Sequence, residues 1–213
     1  MGSIHLIRHG QASWGAADYD QLSDLGVRQS SALGMSWEAF DWAPTEAWAG
    51  SLKRHAQTAI AAIDACGQGD GYDVDDGWNE YDIQTFANMQ DQSVVSAGQK
   101  GVQQALNVAL TDWMAGRGEH AESYRDFVAR VLASFEVAAA RATKGRNVAV
   151  FTSGGPIAQV VSHVLAGDDS LFQKLNDIVF NASVTTIIVG ETGRRVLSFN
   201  EHTHLPKDMV TFR

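Results

Sequence analysis

Two short runs of branched, apolar residues each lead into a glycine-containing loop, and this pattern restricts the fold more than any other feature of the chain. Residues 3–7 (SIHLI) run into Arg8-His9-Gly10, and Asn147–Thr152 (NVAVFT) runs into Ser153-Gly154-Gly155-Pro156. Runs of this length and composition, closed by loop signals, read as buried strands. Between them the period changes to that of a helix. Residues 22–40 place Leu25, Ala32, Leu33 and Trp37 on related faces, with Ser23 as a plausible N-cap. Residues 54–66 form an Ala/Ile-rich helix that Gly67 can end. Residues 124–143 carry Phe127, Val128, Val131, Leu132, Phe135 and Ala138 on one face. A further helix is expected over 157–165, after the Gly-Gly-Pro turn.

Weaker strand signals fall at Glu46–Ala49 and 72–78. Residues 183–189 and 195–199 flank Glu191-Thr192-Gly193 as a closing hairpin. Strand and helix signals alternate, which predicts an α/β fold: a three-layer α/β/α sandwich with a mostly parallel central sheet flanked by helices. No repeat or linker interrupts residues 1–213, so a single domain is expected. Residues 81–122, rich in Gln, Asn, Gly and Ser with a helical patch at 102–114, read as a lid-like insertion.

Composition narrows the partners. The formal net charge is -9, and such a field repels nucleic acid and anionic membrane surfaces. An anionic substrate would need its own local cluster of positive charge. Cys66 is the only cysteine, so no internal disulfide can form, which fits a reducing cytoplasm. Residues 1–10 show no basic-then-apolar leader and no run of about 18 apolar residues occurs, so neither a signal peptide nor a membrane span is expected.

Arg8-His9-Gly10 suits a ligand site, because such sites lie beyond the carboxyl ends of strands in open α/β sheets. Imidazole is a competent phosphoryl acceptor near neutral pH. An adjacent Arg offers bidentate binding to phosphate oxygens, and glycine admits a bulky anion close to the backbone.

Taken with its neighbours, the sequence resembles the histidine phosphatase superfamily, branch 1, the phosphoglycerate-mutase-like family. Leu6-Ile7-Arg8-His9-Gly10-Gln11 is similar to the family's nucleophile signature. Leu22-Ser23-Asp24-Leu25-Gly26-Val27-Arg28-Gln29 resembles its first helix, and Ser51-Leu52-Lys53-Arg54-His55-Ala56-Gln57-Thr58-Ala59 its second motif. Asn79-Glu80-Tyr81-Asp82 falls where the acidic residue belongs. Val148-Ala149-Val150-Phe151-Thr152-Ser153-Gly154-Gly155-Pro156-Ile157 aligns with the strand and turn that carry a second His. Asn200-Glu201-His202-Thr203-His204-Leu205 looks like the C-terminal stretch. The six matches keep family order and span nearly the whole chain.

The resemblance implies a phosphoglycerate-mutase-like fold and phosphoryl transfer through a phosphohistidine. It implies His9 as nucleophile and Arg8 and Arg54 as phosphate ligands. Glu80 becomes the general acid and then the base, with Asp82 its close competitor. Gln11, Ser153, Gly154, Gly155 and His204 would complete the substrate site. Neither metal nor cofactor is implied, and the partner is a small phosphorylated substrate. His55 stands where a small residue is usual and reads as a partly exposed helix histidine; His5 and His163 read as structural.

The pattern breaks at Ser153, in the place of the second His. Serine can donate a neutral hydrogen bond but carries no charge. A charge-assisted bond is worth roughly 1.5–3 kcal/mol, so its loss would slow turnover by about 10- to 150-fold. Gly15 is a second break, near the position of a phosphate-contacting Asn in mutases. The expected function is therefore a phosphatase acting on a small phosphomonoester, with slower or retuned activity expected from Ser153. The alternatives are phosphoglycerate mutase activity, or a phospho-ligand binding module that has lost turnover, with His55, His202 and His204 available as substitute cations.

Overall fold

The computed structural model describes residues 1–13, 18–67, 71–81 and 98–212, with 98–104 as backbone. Gly15, Asp82 and residues 82–97 of the expected lid-like segment lie outside these. The strands are β1 (Gly2–Arg8), β2 (Glu46–Ala49), β3 (Asp73–Val74), β4 (Asn147–Thr152), β5 (Val184–Gly190) and β6 (Gly193–Glu201). The helices are α1 (Asp24–Ala39), α2 (Lys53–Cys66), α3 (Gly98–Met114), α4 (Tyr124–Arg141), α5 (Gly154–Ala166) and α6 (Phe172–Asn176). One six-stranded sheet runs in the order β3-β2-β4-β1-β5-β6. The first four strands in this order pair in parallel, whereas β5 joins β1 antiparallel and β6 closes a hairpin on it.

The pleat explains why helices cover both faces. Ile4 and Leu6 of β1 and Val148 and Val150 of β4 point to one side, against Phe127, Val131 and Phe135 of α4 and Ile157, Val160 and Val161 of α5. Ile7, Ala149 and Phe151 point to the other, against Leu33 and Trp37 of α1 and Ala59, Ala62 and Ile63 of α2. Strands buried on both faces read as continuous apolar runs rather than alternating ones, which is what SIHLI and NVAVFT show.

Several local expectations hold. Ser23 accepts the Gly26 amide at 3.1 Å as an N-cap, and Gly67 ends α2 with φ of 65°. Others shift. Residues 72–78 form only a two-residue edge strand followed by a 3-10 turn, Asp76–Trp78. Trp78 leaves the strand path to bury itself beneath the sheet, at 1% exposure. Helix α5 begins at Gly154, three residues before the expected start, so the glycine pair forms its first turn. Within residues 98–114, Leu110 and Trp113 are buried in the same cluster as Phe127. No helix among the described residues is long and apolar enough to cross a membrane.

Helix α1 meets the loop after β1 backbone to backbone. A Cβ at Gly10 would stand 2.3 Å from the Gly26 carbonyl oxygen, and one at Gly26 would stand 2.2 Å from that of Gln11. The Gly26→Ala variant must push these segments apart. Overpacking of this kind costs about 1–3 kcal/mol, so thermal unfolding of the variant should occur about 2–12 °C lower. An unchanged midpoint would mean that the two backbones do not touch.

Candidate active site

His9 sits one residue beyond β1, where the ladder to β4 makes its last bond. Its amide donates to the Thr152 carbonyl at 2.8 Å, and its carbonyl accepts from the Ala182 amide at 3.2 Å. The Nδ1 atom lies 2.7 Å from the Gly10 carbonyl oxygen. A carbonyl only accepts, so Nδ1 carries the proton and Nε2 presents its lone pair. Burial holds the His9 pKa well below its usual value; the charges of Arg54 and Arg8 and the neighbouring His55 push the same way. The ring is therefore neutral at physiological pH.

Arg54 lies in the first turn of α2 and is nearly buried. Its Nη1 donates to Asp20 Oδ1 at 2.7 Å, and its Nε is buried without a hydrogen-bond partner. Arg8, the last residue of β1, donates through Nη1 to the carbonyls of Val179 and, at 2.8 Å, Phe212. Glu80 accepts the Gly155 amide on Oε2 and the Tyr81 amide on Oε1, both at 3.2 Å. Burial raises its pKa, opposed by the Gly155 bond and by the charges of Arg54 and Arg8. Both arginines thus act on both His9 and Glu80, and the four groups form one neighbourhood drawn from β1, α2 and the loop after the 3-10 turn.

Glycines keep this neighbourhood open. A Cβ at Gly155 would lie 2.1 Å from Glu80 Oε1, and one at Gly154 would approach Arg8 Nε at 3.9 Å and Asn176 Oδ1 at 3.2 Å. Ser153 is the N-cap residue of α5 and is fully buried, yet its side chain makes no cap bond. Its Oγ instead pairs with His55 Nε2 at 2.7 Å. His55 itself is fully buried, not partly exposed, because the first turn of α2 faces the sheet's end rather than solvent. Its ring centroid stands 5.7 Å from that of His9.

Two expected substrate-site residues have other visible tasks. Gln11 braces the loop, its amide donating to Gln29 Oε1 at 2.8 Å and its Oε1 accepting from Ser23 Oγ at 2.9 Å. His204 stands behind the nucleophile, bonded to the backbone of Ala182, whose amide holds the His9 carbonyl. His202 turns away, with Nδ1 2.8 Å from the Asn200 carbonyl and its ring against Phe180. His5 is structural, with Nε2 2.8 Å from Ser3 Oγ and the ring edge-on to Trp42.

Sequence reasoning missed Arg130. From α4 its guanidinium donates to the carbonyls of Gly77, Asn79 and Glu80 at 3.0, 2.7 and 3.3 Å, anchored by Glu122 at 2.5 Å. It fixes the loop that presents Glu80. On the sequence it is one more charge on the polar side of a helix. Asp20, the partner of Arg54, also lies in none of the motif segments.

The profile of the Histidine phosphatase superfamily (branch 1) matches residues 4–202, and the chain belongs to that superfamily. No curated protein matches it. Among solved structures it is similar to a phosphoglycerate mutase from Bacillus anthracis, with 20% identity, TM-score 0.70, and 95% of this chain and 94% of that one covered. It is equally similar in fold to a mycobacterial glucosyl-3-phosphoglycerate phosphatase holding inorganic phosphate, with 20% identity, TM-score 0.70, and 97% and 100% covered. A phosphoserine phosphatase variant from Entamoeba histolytica in complex with phosphoserine aligns with 16% identity, TM-score 0.68, and 97% and 100% covered. These likenesses show the fold.

Two buried histidines, His9 and His55, and two half-buried ones, His5 and His204, shape the acid response. His5 and His204 are lowered by burial to about 4, and His9 and His55 lie well below 6.5. An unfolded chain would protonate all four near 6.5, whereas the folded one resists, so their stabilising contribution is complete above that value. It is lost as pH falls from 6.5 toward 4. Glu80, raised, has the opposite sign but is a single group. The urea midpoint should therefore drop across pH 6.5 to 4, with a smaller drop in His204→Gln; a midpoint that holds level would contradict the neutral, buried state of these rings.

Proposed function

We propose that the chain is a phosphatase that hydrolyses a small phosphomonoester through a phosphohistidine on His9, without a metal. The observation that carries this reading is the bond from His9 Nδ1 to the Gly10 carbonyl, 2.7 Å long, which leaves Nε2 as a lone pair in the neighbourhood of the buried Arg54, the half-buried Arg8 and the Glu80 carboxyl.

In the first half-reaction Nε2 attacks phosphorus and the bond to the leaving oxygen breaks. Glu80, kept more protonated than a surface carboxyl by burial, delivers its proton to that oxygen. Arg8 and Arg54 neutralise charge on the equatorial oxygens, the main protein contribution to phosphoryl transfer. In the second half-reaction the Glu80 carboxylate takes a proton from water, the water oxygen bonds to phosphorus, and the N–P bond breaks. Inorganic phosphate leaves, and His9 is again neutral. Ser153 and the Gly154 amide lie at the same end of the sheet and serve as neutral donors, while the Gly155 amide holds Glu80. The phosphatases among the structural relatives act on a sugar phosphoglycerate and on phosphoserine, which supports a small phosphomonoester as the substrate class.

The test is covalent trapping. Acid quenching during turnover of para-nitrophenyl phosphate should yield protein carrying one acid-labile, base-stable phosphate, and His9→Ala should carry none, with turnover reduced by roughly 10^4 or more. Equal labelling of that variant would overturn the mechanism. Interconversion of phosphoglycerates with no net release of phosphate would make the chain a mutase, and tight phosphate binding without label or turnover would make it a binding module.

A further inference from the structure

One buried imidazole has no part in the steps above. His55 follows Arg54 in α2 and is 0% exposed. Burying a polar ring is costly unless its nitrogens are bonded, so a residue that merely filled this space would be apolar. Nε2 meets Ser153 Oγ at 2.7 Å, while Nδ1 is buried without a partner. The chain has cleared room for the ring: a Cβ at residue 50 would lie 2.3 Å from Nδ1, and Gly50 has none. Asn79 Oδ1 reaches the same gap, 2.6 Å from that point, and is also buried without a partner. Ser153 departs from habit in a matching way. An N-cap serine ordinarily accepts an amide of the helix it starts; this one makes no such bond and turns to His55.

We propose that His55 and Ser153 act as one unit in which His55 Nε2–H donates to Ser153 Oγ, freeing the Ser153 hydroxyl proton to bind an oxygen of the phosphoryl group moving to His9. Ser153 touches the substrate; His55 is a positioning residue acting through it. The site thereby receives from α2 the imidazole that the turn after β4 lacks. The identity of the ligand rests on the phosphatase reading above. The groups that face His55 are Arg54 on its own helix, His9 just beyond β1, Ser153 after β4 and Asn79 from the loop after the 3-10 turn. Burial and the charge of Arg54 keep the ring neutral in the free protein. A phosphoryl dianion held by the arginines offsets that charge and favours a proton on both nitrogens. Nε2–H then stays on Ser153 and Nδ1–H faces the Asn79 oxygen, so the serine's bond to phosphate gains charge assistance.

The test compares wild type with His55→Gln, Ser153→Ala and the exchange variant His55→Ala/Ser153→His. It measures turnover of para-nitrophenyl phosphate and the Kd of inorganic phosphate, with thermal melts as the folding control. Each single variant should lose about 10- to 150-fold in kcat, the range of one charge-assisted bond, with KM changed less. The exchange variant, which returns an imidazole from the other element, should exceed both singles; a loss of packing alone would not be repaired this way. An active wild type with His55→Gln within twofold of it, or an exchange variant no better than the singles, overturns the pair and leaves the phosphatase reading standing. A wild type that forms no label and turns nothing over, yet binds phosphate at least tenfold more tightly than His55→Gln, sinks the phosphatase reading and supports the pair.

Discussion

The site depends on the parallel pairing of β1 with β4. Six residue pairs, from Ser3 with Asn147 to Arg8 with Thr152, hold the two strands in register, and the His9 amide extends the ladder by one bond to the Thr152 carbonyl. Two chain segments about 140 residues apart in sequence therefore end at the same level, which places His9 beside Ser153. A slip of one residue would turn every side chain of a strand to the opposite face. Here Ile4 and Leu6 would exchange places with His5 and Ile7, and both apolar clusters would lose their fit. Burial on both faces thus fixes the register, and the register places His9 beside Ser153.

Around that ladder the protein gathers two arginines within a chain of net charge -9. The two arginines come from different elements, Arg8 from the strand end and Arg54 from the first turn of α2. Each is held before any anion arrives, Arg8 by main-chain carbonyls and Arg54 by Asp20. Thr58 links the halves, accepting the Gly10 amide and donating to the Arg54 carbonyl. Prepositioned charge of this kind needs no reorganisation as the transferring group's charge develops. The cost appears as lowered histidines and a raised glutamic acid, the directions that the proposed nucleophile and proton donor require.

Much of this was legible in the sequence because it is carried by local patterns. SIHLI and NVAVFT announced buried strands, Ser23 and Gly67 announced helix ends, and the motif residues brought Arg8, His9, Arg54 and Glu80 into one candidate site. What stayed hidden depends on contacts between distant segments. His55 looked like a partly exposed helix residue because its burial comes from the turn after β4 and the loop at Asn79, not from its own helix. Arg130 gave no signal, since clasping three carbonyls around Glu80 is a property of how α4 lies on that loop. Trp78 was read into a strand because its character suits one, but its side chain is spent on the core below.

The central claim is that the phosphoryl group travels to His9 Nε2 between Arg8 and Arg54, with Ser153 as a neutral donor. The most direct measurement is a crystal structure with orthovanadate, which takes up the five-coordinate geometry of the transferring group. The account predicts vanadium bonded to His9 Nε2, equatorial oxygens on both guanidinium groups and on Ser153 Oγ, and Glu80 against the apical oxygen opposite His9. Vanadium bonded to Ser153 Oγ, or lying where it touches only one of the arginines, would contradict it.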